Sequence, residues 1–360
     1  MHPAVLLIEL GAVILGLGLL GAVSVRFSIS PIPLYLLAGL AFGQGGILPL
    51  ATSDEFIAAG AEIGVILLLF TLGLEYTAAE LVGTLRSSAS AGLLDLVANS
   101  APGVAAGFLL GWGPVAAVAL GGITYVTSSG ITAKVLGDLG WLGNRETPVV
   151  LSLLVFEDLM MAVYLPILTA LLAGAGLLIG SITLAISAVT LLVAGLAQQL
   201  QVSAAVGAFL VGIALSGPLA HTARELLSPL RDLFAAVFFV FFGLHTDPAD
   251  LPPVAGTAAL LALCGIATKL GTGWVAAARL GTTSITGRLR AGCALTPRGE
   301  FTIVIAGLAV AAGINPRLGP LAAAYVLILA VAGPLVARAV EPLTGRMPRR
   351  PHTAHRHPHE

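Results

Sequence analysis

Residues 148–171 read PVVLSLLVFEDLMMAVYLPILTAL, an apolar run whose only charged residues are the adjacent carboxylates Glu157 and Asp158. An α-helix needs about 20 apolar residues to cross the ~30 Å hydrocarbon core of a bilayer. A carboxylate at the centre of such a helix costs roughly 2.5 to 3.5 kcal/mol on insertion scales. The segment therefore predicts a membrane-spanning helix in which the acidic pair serves function rather than stability.

The composition of the whole chain agrees, because hydrophobic residues make up 57% of its 360 positions and charged residues only 10%. An ordinary soluble domain has roughly 25% charged residues. Cys264 and Cys293 fall in or beside apolar stretches, where buried thiols are expected rather than a disulfide framework. Twelve apolar stretches with short polar breaks between them predict an all-α, polytopic membrane protein. They are 4–23, 31–49, 55–75, 87–110, 114–137, 148–171, 175–198, 202–218, 230–245, 254–279, 289–312 and 318–340.

The sequence also contains an internal repeat. FTLGLEYT at 70–77 is echoed by FFGLHT at 241–246, and the matching Gly73 and Gly243 are 170 positions apart. Many transporters build a site at the membrane midplane from paired halves of this kind. We therefore expect two halves that are related by symmetry.

The repeat divides the chain into predicted units. A transmembrane domain is expected over residues 1–345, with a first repeat at about 4–171 and a second at about 175–340. Residues 346–360 hold basic residues and histidines interleaved with proline, which predicts a disordered cytoplasmic tail.

The orientation of the halves follows from Lys and Arg, which favour short cytoplasmic loops. Arg26, Arg86 and Arg145 follow the first, third and fifth predicted spans. In the second half, basic residues follow the eighth, tenth and twelfth spans; they are Arg224, then Arg279, Arg288 and Arg290, then the tail. With twelve spans the two sets cannot share a side. An odd number of additional crossings would reconcile them and make the halves inverted, but residues 171–201 are too few for two full spans.

Two predicted helices carry a polar interruption. TYVTSSG at 124–130 lies inside the span 114–137, and LTPRGE at 295–300 lies inside the span 289–312. Pro297 removes a backbone donor and frees a carbonyl group. Unwound helices expose backbone oxygens that suit a desolvated ion, and they are tolerated only where they are buried in protein. We therefore expect two broken helices at an ion site; the alternative is a pair of merely kinked helices.

The adjacent Glu157 and Asp158 supply the expected chemistry. Burial and mutual repulsion favour the protonated form of at least one of two neighbouring carboxylates. Such a carboxylate binds either a proton or a cation, and that competition is what an exchanger needs. Lys269 lies within an apolar span and needs a buried partner, for which Glu157 is the candidate. Arg298 and Glu300 are expected to form a supporting pair, with either a structural or a direct role.

Five motifs in this order resemble those of the monovalent cation:proton antiporters of the bacterial Kef and sodium/proton-exchanger superfamily. They are TSSG at 127–130, FED at 156–158, VGAFL at 206–210, RDLF at 231–234 and PRGEF at 297–301. The resemblance covers about residues 4–342. It implies an inverted-repeat antiporter fold, similar to that of sodium/proton antiporters, with two crossed discontinuous helices.

The resemblance also implies a homodimer in which a six-helix core moves against a dimerisation scaffold, an elevator form of alternating access. Asp158 would be the carboxylate that carries ion and proton. The predicted ion- and proton-binding residues are Asp158, Glu157, Thr127 and Ser128. The predicted supporting charges and helix breaks are Lys269, Ser129, Gly130, Pro297, Arg298 and Glu300.

Three departures from the family pattern stand out. Family members have Asp, Asn or Gln before the carrier aspartate, whereas this chain has Glu157, which favours electrogenic exchange. Kef-type members carry a cytoplasmic regulatory domain, so a separate cytoplasmic regulatory subunit is a possible partner here. Relatives also have thirteen helices, whereas only 49 positions separate Asp158 from Gly207 here, so a linker helix is expected to be missing between the repeats.

The resulting function hypothesis is a secondary transporter of the inner membrane that exchanges potassium or sodium for protons. A channel-like or sensor protein, or a non-transporting scaffold subunit on the same fold, is the alternative. The sequence shows no phosphate-binding loop, no metal-ligand spacing and no nucleophile beside a base, so an enzyme is not expected. The expected partners are the transported cation, protons, membrane lipid and a second copy of the chain, with no cofactor, no other metal and no nucleic acid.

Overall fold

The computed structural model describes residues 3–26, 31–43, 45–46, 78–172, 218–279, 281–282 and 284–344, together with the isolated positions 63, 66, 67, 70, 74, 211, 212 and 215. The predicted spans 55–75, 175–198 and 202–218 lie largely outside the described residues. The same holds for the predicted loss of a linker helix between the repeats and for the predicted tail at 346–360.

The described residues form helices and no strand, which confirms the predicted all-α class. The helices are α1 (Pro3–Arg26), α2 (Pro31–Phe42), α3 (Ala78–Leu109), α4 (Pro114–Tyr125), α5 (Ser129–Asp138), α6 (Thr147–Leu172), α7 (Pro218–Leu244), α8 (Leu251–Arg279), α9 (Ile285–Ala294), α10 (Glu300–Ala311) and α11 (Leu318–Leu343), with a 3₁₀ turn at Pro248–Asp250. Five helical segments within this part of the chain are long and apolar enough to cross a membrane. They are Ala89–Leu109, Pro114–Asp138, Thr147–Leu172, Pro248–Arg279 and Leu318–Leu343.

Helix α7 differs from the prediction at its start. The sequence predicts a break at 219–229, before a span at 230–245, because this stretch is polar. The structure instead continues one helix through it, with Pro229 inside the helix. The stretch contains Ala, Leu, Glu and Arg, which are all good helix formers. Its Glu and Arg are too polar for a bilayer, but they do not interrupt a helix. Hydropathy therefore located the apolar end of the helix and missed its polar beginning.

Two discontinuous helices cross at the centre of the fold. Helices α4 and α5 form one membrane-crossing segment that is interrupted at 126–128. Helices α9 and α10 form a second discontinuous helix that is interrupted at 295–299. The breaks meet, since the backbone N–H of Ser128 donates to the carbonyl oxygen of Pro297 at 2.9 Å. The predicted fold with two crossed discontinuous helices is confirmed, and simple kinking is excluded.

The basic loops of both halves lie at one end of the helices. Arg290, in the middle of the short helix α9, lies 3.3 Å from Glu146 and 2.6 Å from Glu341 near the end of α11. Because Glu146 follows Arg145 directly, the loop before α6 and the loop before α9 share one side. The predicted twelve spans would place these two loops on opposite sides of the membrane. The predicted number of spans is therefore wrong between Thr147 and Arg279, an interval that includes residues outside the described part.

Helices α2 and α7 cross in direct backbone contact. A Cβ atom placed on Gly243 of α7 would lie 2.5 Å from the carbonyl oxygen of Leu36 and 2.8 Å from Cα of Gly39, both in α2. Glycine at this crossing lets two helices approach as closely as small-residue motifs do in membranes. This pair packs beside the helices that carry the breaks, through a shared apolar core that includes Leu36, Phe238 and Phe301.

Candidate functional site

The local sequence explains where each broken helix stops and restarts. Val126 is extended (φ −76°, ψ 134°), and α5 begins again with the Ser128 hydroxyl accepting from the backbone N–H of Ile131 at 3.4 Å. In the second unit, Pro297 supplies no N–H to continue the helix. Gly299 is extended too, but its lack of a side chain matters because a Cβ atom there would lie 2.6 Å from Ser128 Oγ.

Hydrogen bonds between the two broken helices hold the crossing together. The backbone bond from Ser128 to Pro297 is one of them, and Ser128 Oγ also donates to Glu300 Oε2 at 3.0 Å. Thr127 Oγ1 donates to the carbonyl oxygen of Leu295 at 3.1 Å, and Thr132 Oγ1 donates to that of Ala294 at 2.9 Å. The carbonyl oxygens freed by one break are thus paired with donors from the other.

Arg298 occupies the core of the crossing and does not pair with Glu300. Its fully buried guanidinium donates from Nη1 to the carbonyls of Leu295 and Thr296, and from Nη2 to that of Thr124, each at 3.1 Å. The expected pair between Arg298 and Glu300 is therefore wrong. The planar fork of arginine can reach carbonyls of both broken helices at once, whereas Glu300 already accepts from Ser128.

Glu157 is held by both its expected partner and the first break. Lys269 Nζ donates to Glu157 Oε1 at 2.8 Å, and neither side chain is more than 1% exposed. Thr127 adds two donors, its backbone N–H to Oε2 at 2.5 Å and its hydroxyl to Oε1 at 3.0 Å. The three donors fix Glu157 between α6, α8 and the unwound segment of the first broken helix.

Asp95 is the main site residue that the sequence did not identify. Its fully buried carboxylate accepts from Lys269 Nζ at 2.7 Å, from Thr272 Oγ1 at 2.7 Å and from Asn99 Nδ2 at 2.9 Å. The available signal was a lone carboxylate inside the predicted span 87–110. Nothing in the sequence related it to Lys269, 174 positions away.

Asp158 lies beside this cluster and is 3% exposed. Its charge and those of Glu157 and Asp95 all act on the buried Tyr125 at the end of α4. The hydroxyl of Tyr125 has no hydrogen-bond partner among the described residues, and Lys269 Nζ lies 5.4 Å from the centre of its ring. Tyr125 is thus a second site residue that sequence reasoning missed.

Two of the predicted residues lie at the edge of the site. Ser129 and Gly130 begin α5, where Ser129 is half-buried and Gly130 is exposed with open space around it. The described side chains include no group of three His, Cys, Asp or Glu placed to hold a metal ion together. The site is a buried cluster of carboxylates, hydroxyls and backbone carbonyl oxygens. Such ligands suit a monovalent cation or a proton.

Comparison with known proteins identifies the family to which this architecture belongs. The transmembrane sodium/hydrogen exchanger family model matches residues 11–197 and 181–341, which together include nearly the whole chain. The chain belongs to this exchanger family. It is therefore a multi-pass membrane protein of a family of cation/proton antiporters, and the expectation that it is not an enzyme is confirmed.

Individual relatives of this chain include antiporters for different cations. It is 33% identical to the K(+)/H(+) antiporter subunit KhtU of Bacillus subtilis, over 92% of this chain and 93% of the relative. It is 29% identical to the ammonium/H(+) antiporter subunit AmhT of Alkalihalophilus pseudofirmus, over 84% and 86% respectively. Identity to the high-affinity Na(+)/H(+) antiporter NhaS3 of Synechocystis is 27%, over 80% and 71%.

A solved structure also shares the fold of this chain. The sodium proton antiporter MjNhaP1 from Methanocaldococcus jannaschii matches with a TM-score of 0.64 over 93% of this chain and 100% of that chain. At 17% sequence identity this likeness shows the fold and nothing finer.

Proposed function

We propose that this exchanger transports a monovalent cation in one direction and protons in the other, with Asp158 as the carrier of both. The observation that carries the proposal is the crossing of two broken helices beside the buried pair Glu157 and Asp158. Glu157 would also bind a proton, and Thr127 and Ser128 would add oxygen ligands at the first break. Lys269, Arg298, Glu300 and the helix breaks would hold the site in shape.

Exchange follows from competition at one carboxylate. A buried carboxylate without a bound cation is strongly unfavourable in a low-dielectric surrounding, so it binds either a proton or a cation before the site moves. An empty carrier would have to move an uncompensated charge through the apolar interior. Only the two loaded forms of Asp158 would then cross readily, which couples the two fluxes.

Potassium is the proposed first cargo, with sodium and ammonium as the other candidates. This order rests on the relatives, because KhtU is a K(+)/H(+) antiporter subunit and is more similar to this chain than AmhT or NhaS3. KhtU and AmhT are both named as antiporter subunits, which supports a separate partner subunit for this chain as well.

The proposed movement is of the elevator type within a homodimer of the inner membrane. Helices α3–α6 and α8–α11 would form the moving core, because the site and its cross-links lie in these helices. Helices α1, α2 and α7 would form the dimer scaffold, which is supported by the tight glycine crossing of α2 and α7. The core would then carry Asp158 across the membrane along the scaffold, which would stay in place.

The test is proton flux in proteoliposomes that hold the purified protein, with potassium, sodium or choline added in turn. We expect saturable, potassium-dependent proton movement that is lost in Asp158→Asn. Asp138→Asn is the matched control, because Asp138 is a partly exposed carboxylate that pairs with Lys134 at 3.6 Å near the end of α5. It should behave as the wild type.

The alternatives predict other results. Cation movement that is not coupled to protons would indicate a channel-like protein. A folded wild type that moves no protons with any of the added cations would contradict exchange by this chain alone and favour a scaffold subunit. Flux that survives Asp158→Asn would remove Asp158 from its role as carrier while leaving exchange intact.

A further inference from the structure

A buried polar ladder connects α3 and α8 behind the site. It consists of Asp95 and Asn99 from α3 and of Thr268, Lys269 and Thr272 from α8. Thr268 Oγ1 donates to Asn99 Oδ1 at 2.7 Å, and Asn99 in turn donates to Asp95. Asp95, Asn99 and Lys269 are at most 1% exposed, and α8 runs without interruption from Leu251 to Arg279.

Lys269 therefore faces two carboxylates in different settings. Asp95 lies 2.7 Å from its ammonium group and receives further hydrogen bonds from Thr272 and Asn99, all of them in the uninterrupted helices α3 and α8. Glu157 lies 2.8 Å away, and its other donors come from Thr127 in the unwound segment of the broken helix. One partner belongs to the ladder between two continuous helices, and the other contacts the break in the first discontinuous helix.

We propose that Asp95 is the resident counter-ion of Lys269, a positioning residue that keeps the ammonium charge balanced while Glu157 takes up or releases a proton. This inference rests on the proposed exchange function. Asp95 would not touch the transported cation itself. It would act through Lys269, so that protonation of Glu157 never leaves an unpaired ammonium group in the apolar interior.

The charge balance around Asp95 shows why this matters. Lys269 of α8 pairs with Asp95, and Glu157 of α6 and Tyr125 of α4 feel its charge. Beyond them, Arg298 at the second break acts on Glu157, and Asp158 of α6 acts on Tyr125. With two anions beside Lys269, one can be neutralised while the other stays paired. If Glu157 were the only anion beside Lys269, its protonation would leave the ammonium group unpaired. An unpaired buried charge is strongly unfavourable in low dielectric.

The first experiment measures potassium-dependent proton flux against pH for Asp95→Asn. We expect the midpoint of the activity profile to move to lower pH by about one unit, because proton uptake at the site must then leave Lys269 without an anion. The apparent KM for potassium, taken at the pH optimum of each variant, should not change. Ser100→Ala on the same helix is the control, since its hydroxyl bonds only the Leu96 carbonyl at 2.6 Å.

Two results would overturn the proposal. One is an Asp95→Asn profile that coincides with those of the wild type and of Ser100→Ala. The other is a raised KM for potassium at an unmoved pH midpoint, because that would make Asp95 a cation ligand. Asp95→Glu keeps the charge and should keep the wild-type midpoint, which a role in packing alone would not predict.

A second experiment does not depend on transport. Lys269→Gln leaves two carboxylates without a cation between them, so we expect it to lower the thermal stability of the purified protein more than Asp95→Asn/Lys269→Gln does. A double variant that loses the sum of the two single losses would contradict the pairing. If Asp95→Asn alone does not fold, the same double variant must restore folding or the proposal fails. A wild type without flux would contradict the proposed function alone.

Discussion

Arg298 shows how a single residue can stabilise two helix breaks. Each break frees carbonyl oxygens that cannot reach water, and every unpaired buried carbonyl destabilises the fold. The guanidinium pairs with three of these oxygens, two from the second broken helix and one from the first. Arg298 thus joins the two broken helices through hydrogen bonds, although its position in a charged motif suggested a salt bridge.

We therefore expect Arg298→Lys to destabilise the protein although it keeps the charge. A lysine ammonium is a single point donor and cannot reach carbonyls of both broken helices from one position. The free energy of unfolding should fall by about 2 to 4 kcal/mol, since hydrogen bonds to charged groups contribute about 1.5 to 3 kcal/mol each. Unfolding of the purified protein by a denaturing detergent would measure it. The exposed Arg317 provides the control. An Arg298→Lys variant as stable as Arg317→Lys would contradict the proposed role of Arg298 in joining the two broken helices.

The same residues show how far the sequence could predict the site. Glu157 and Lys269 were paired correctly because each is a charge at the centre of an apolar span and needs a partner. Asp95 was missed because a lone carboxylate inside the predicted span 87–110 fits several roles. Arg298 and Glu300 were paired wrongly because residues two positions apart at a helix start do not face each other.

Helices show a similar division between what the sequence predicts and what it does not. The breaks at 126–128 and 295–299 were predictable, since proline, glycine and clustered hydroxyl residues disfavour a continuous helix. The polar start of α7 was not predictable, because hydropathy indicates which residues lie in the bilayer and not where a helix begins. The crossing of α2 and α7 was not predictable either, because glycines in the sequence do not reveal which other helix they approach.

This crossing gives a prediction at the scale of the element. A side chain on Gly39 would overlap the backbone of Val240 and Gly243, and neither helix can yield without moving as a whole. Gly39→Ala should therefore lower the free energy of unfolding by about 1 to 3 kcal/mol, the usual effect of overpacking. Gly256→Ala in α8 is the control, because a Cβ atom placed there would have no neighbouring atom within 4 Å, and it should be neutral or stabilising. Equal melting temperatures of the two variants would show that α2 and α7 do not pack this closely.

In the described part of the molecule, basic residues of both halves lie together at one end of the helices, where ion pairs connect them. Arg290 bridges Glu146 and Glu341, and its guanidinium lies 5.5 Å from the centre of the Trp141 ring. This cluster ties the loop before α6 to α9 and α11. Loops rich in Lys and Arg remain on the cytoplasmic side, so this end is expected to face the cytoplasm.

Labelling of single cysteines can test this orientation for both halves at once. Cys264 and Cys293 are first replaced by alanine, and one cysteine is then introduced at Arg145, Arg279 or Ala249, which are all exposed. Arg145 belongs to the first half and Arg279 to the second, whereas Ala249 precedes the opposite end of α8. We expect a membrane-impermeant maleimide to label positions 145 and 279 in inside-out vesicles only, and position 249 in intact cells only. Labelling of 145 and 279 from opposite sides would contradict the shared basic end, and with it the inverted arrangement that lets the two breaks meet. Labelling of both from outside would keep the fold and reverse its insertion, because the contact between Arg290 and Glu146 fixes only which loops lie together.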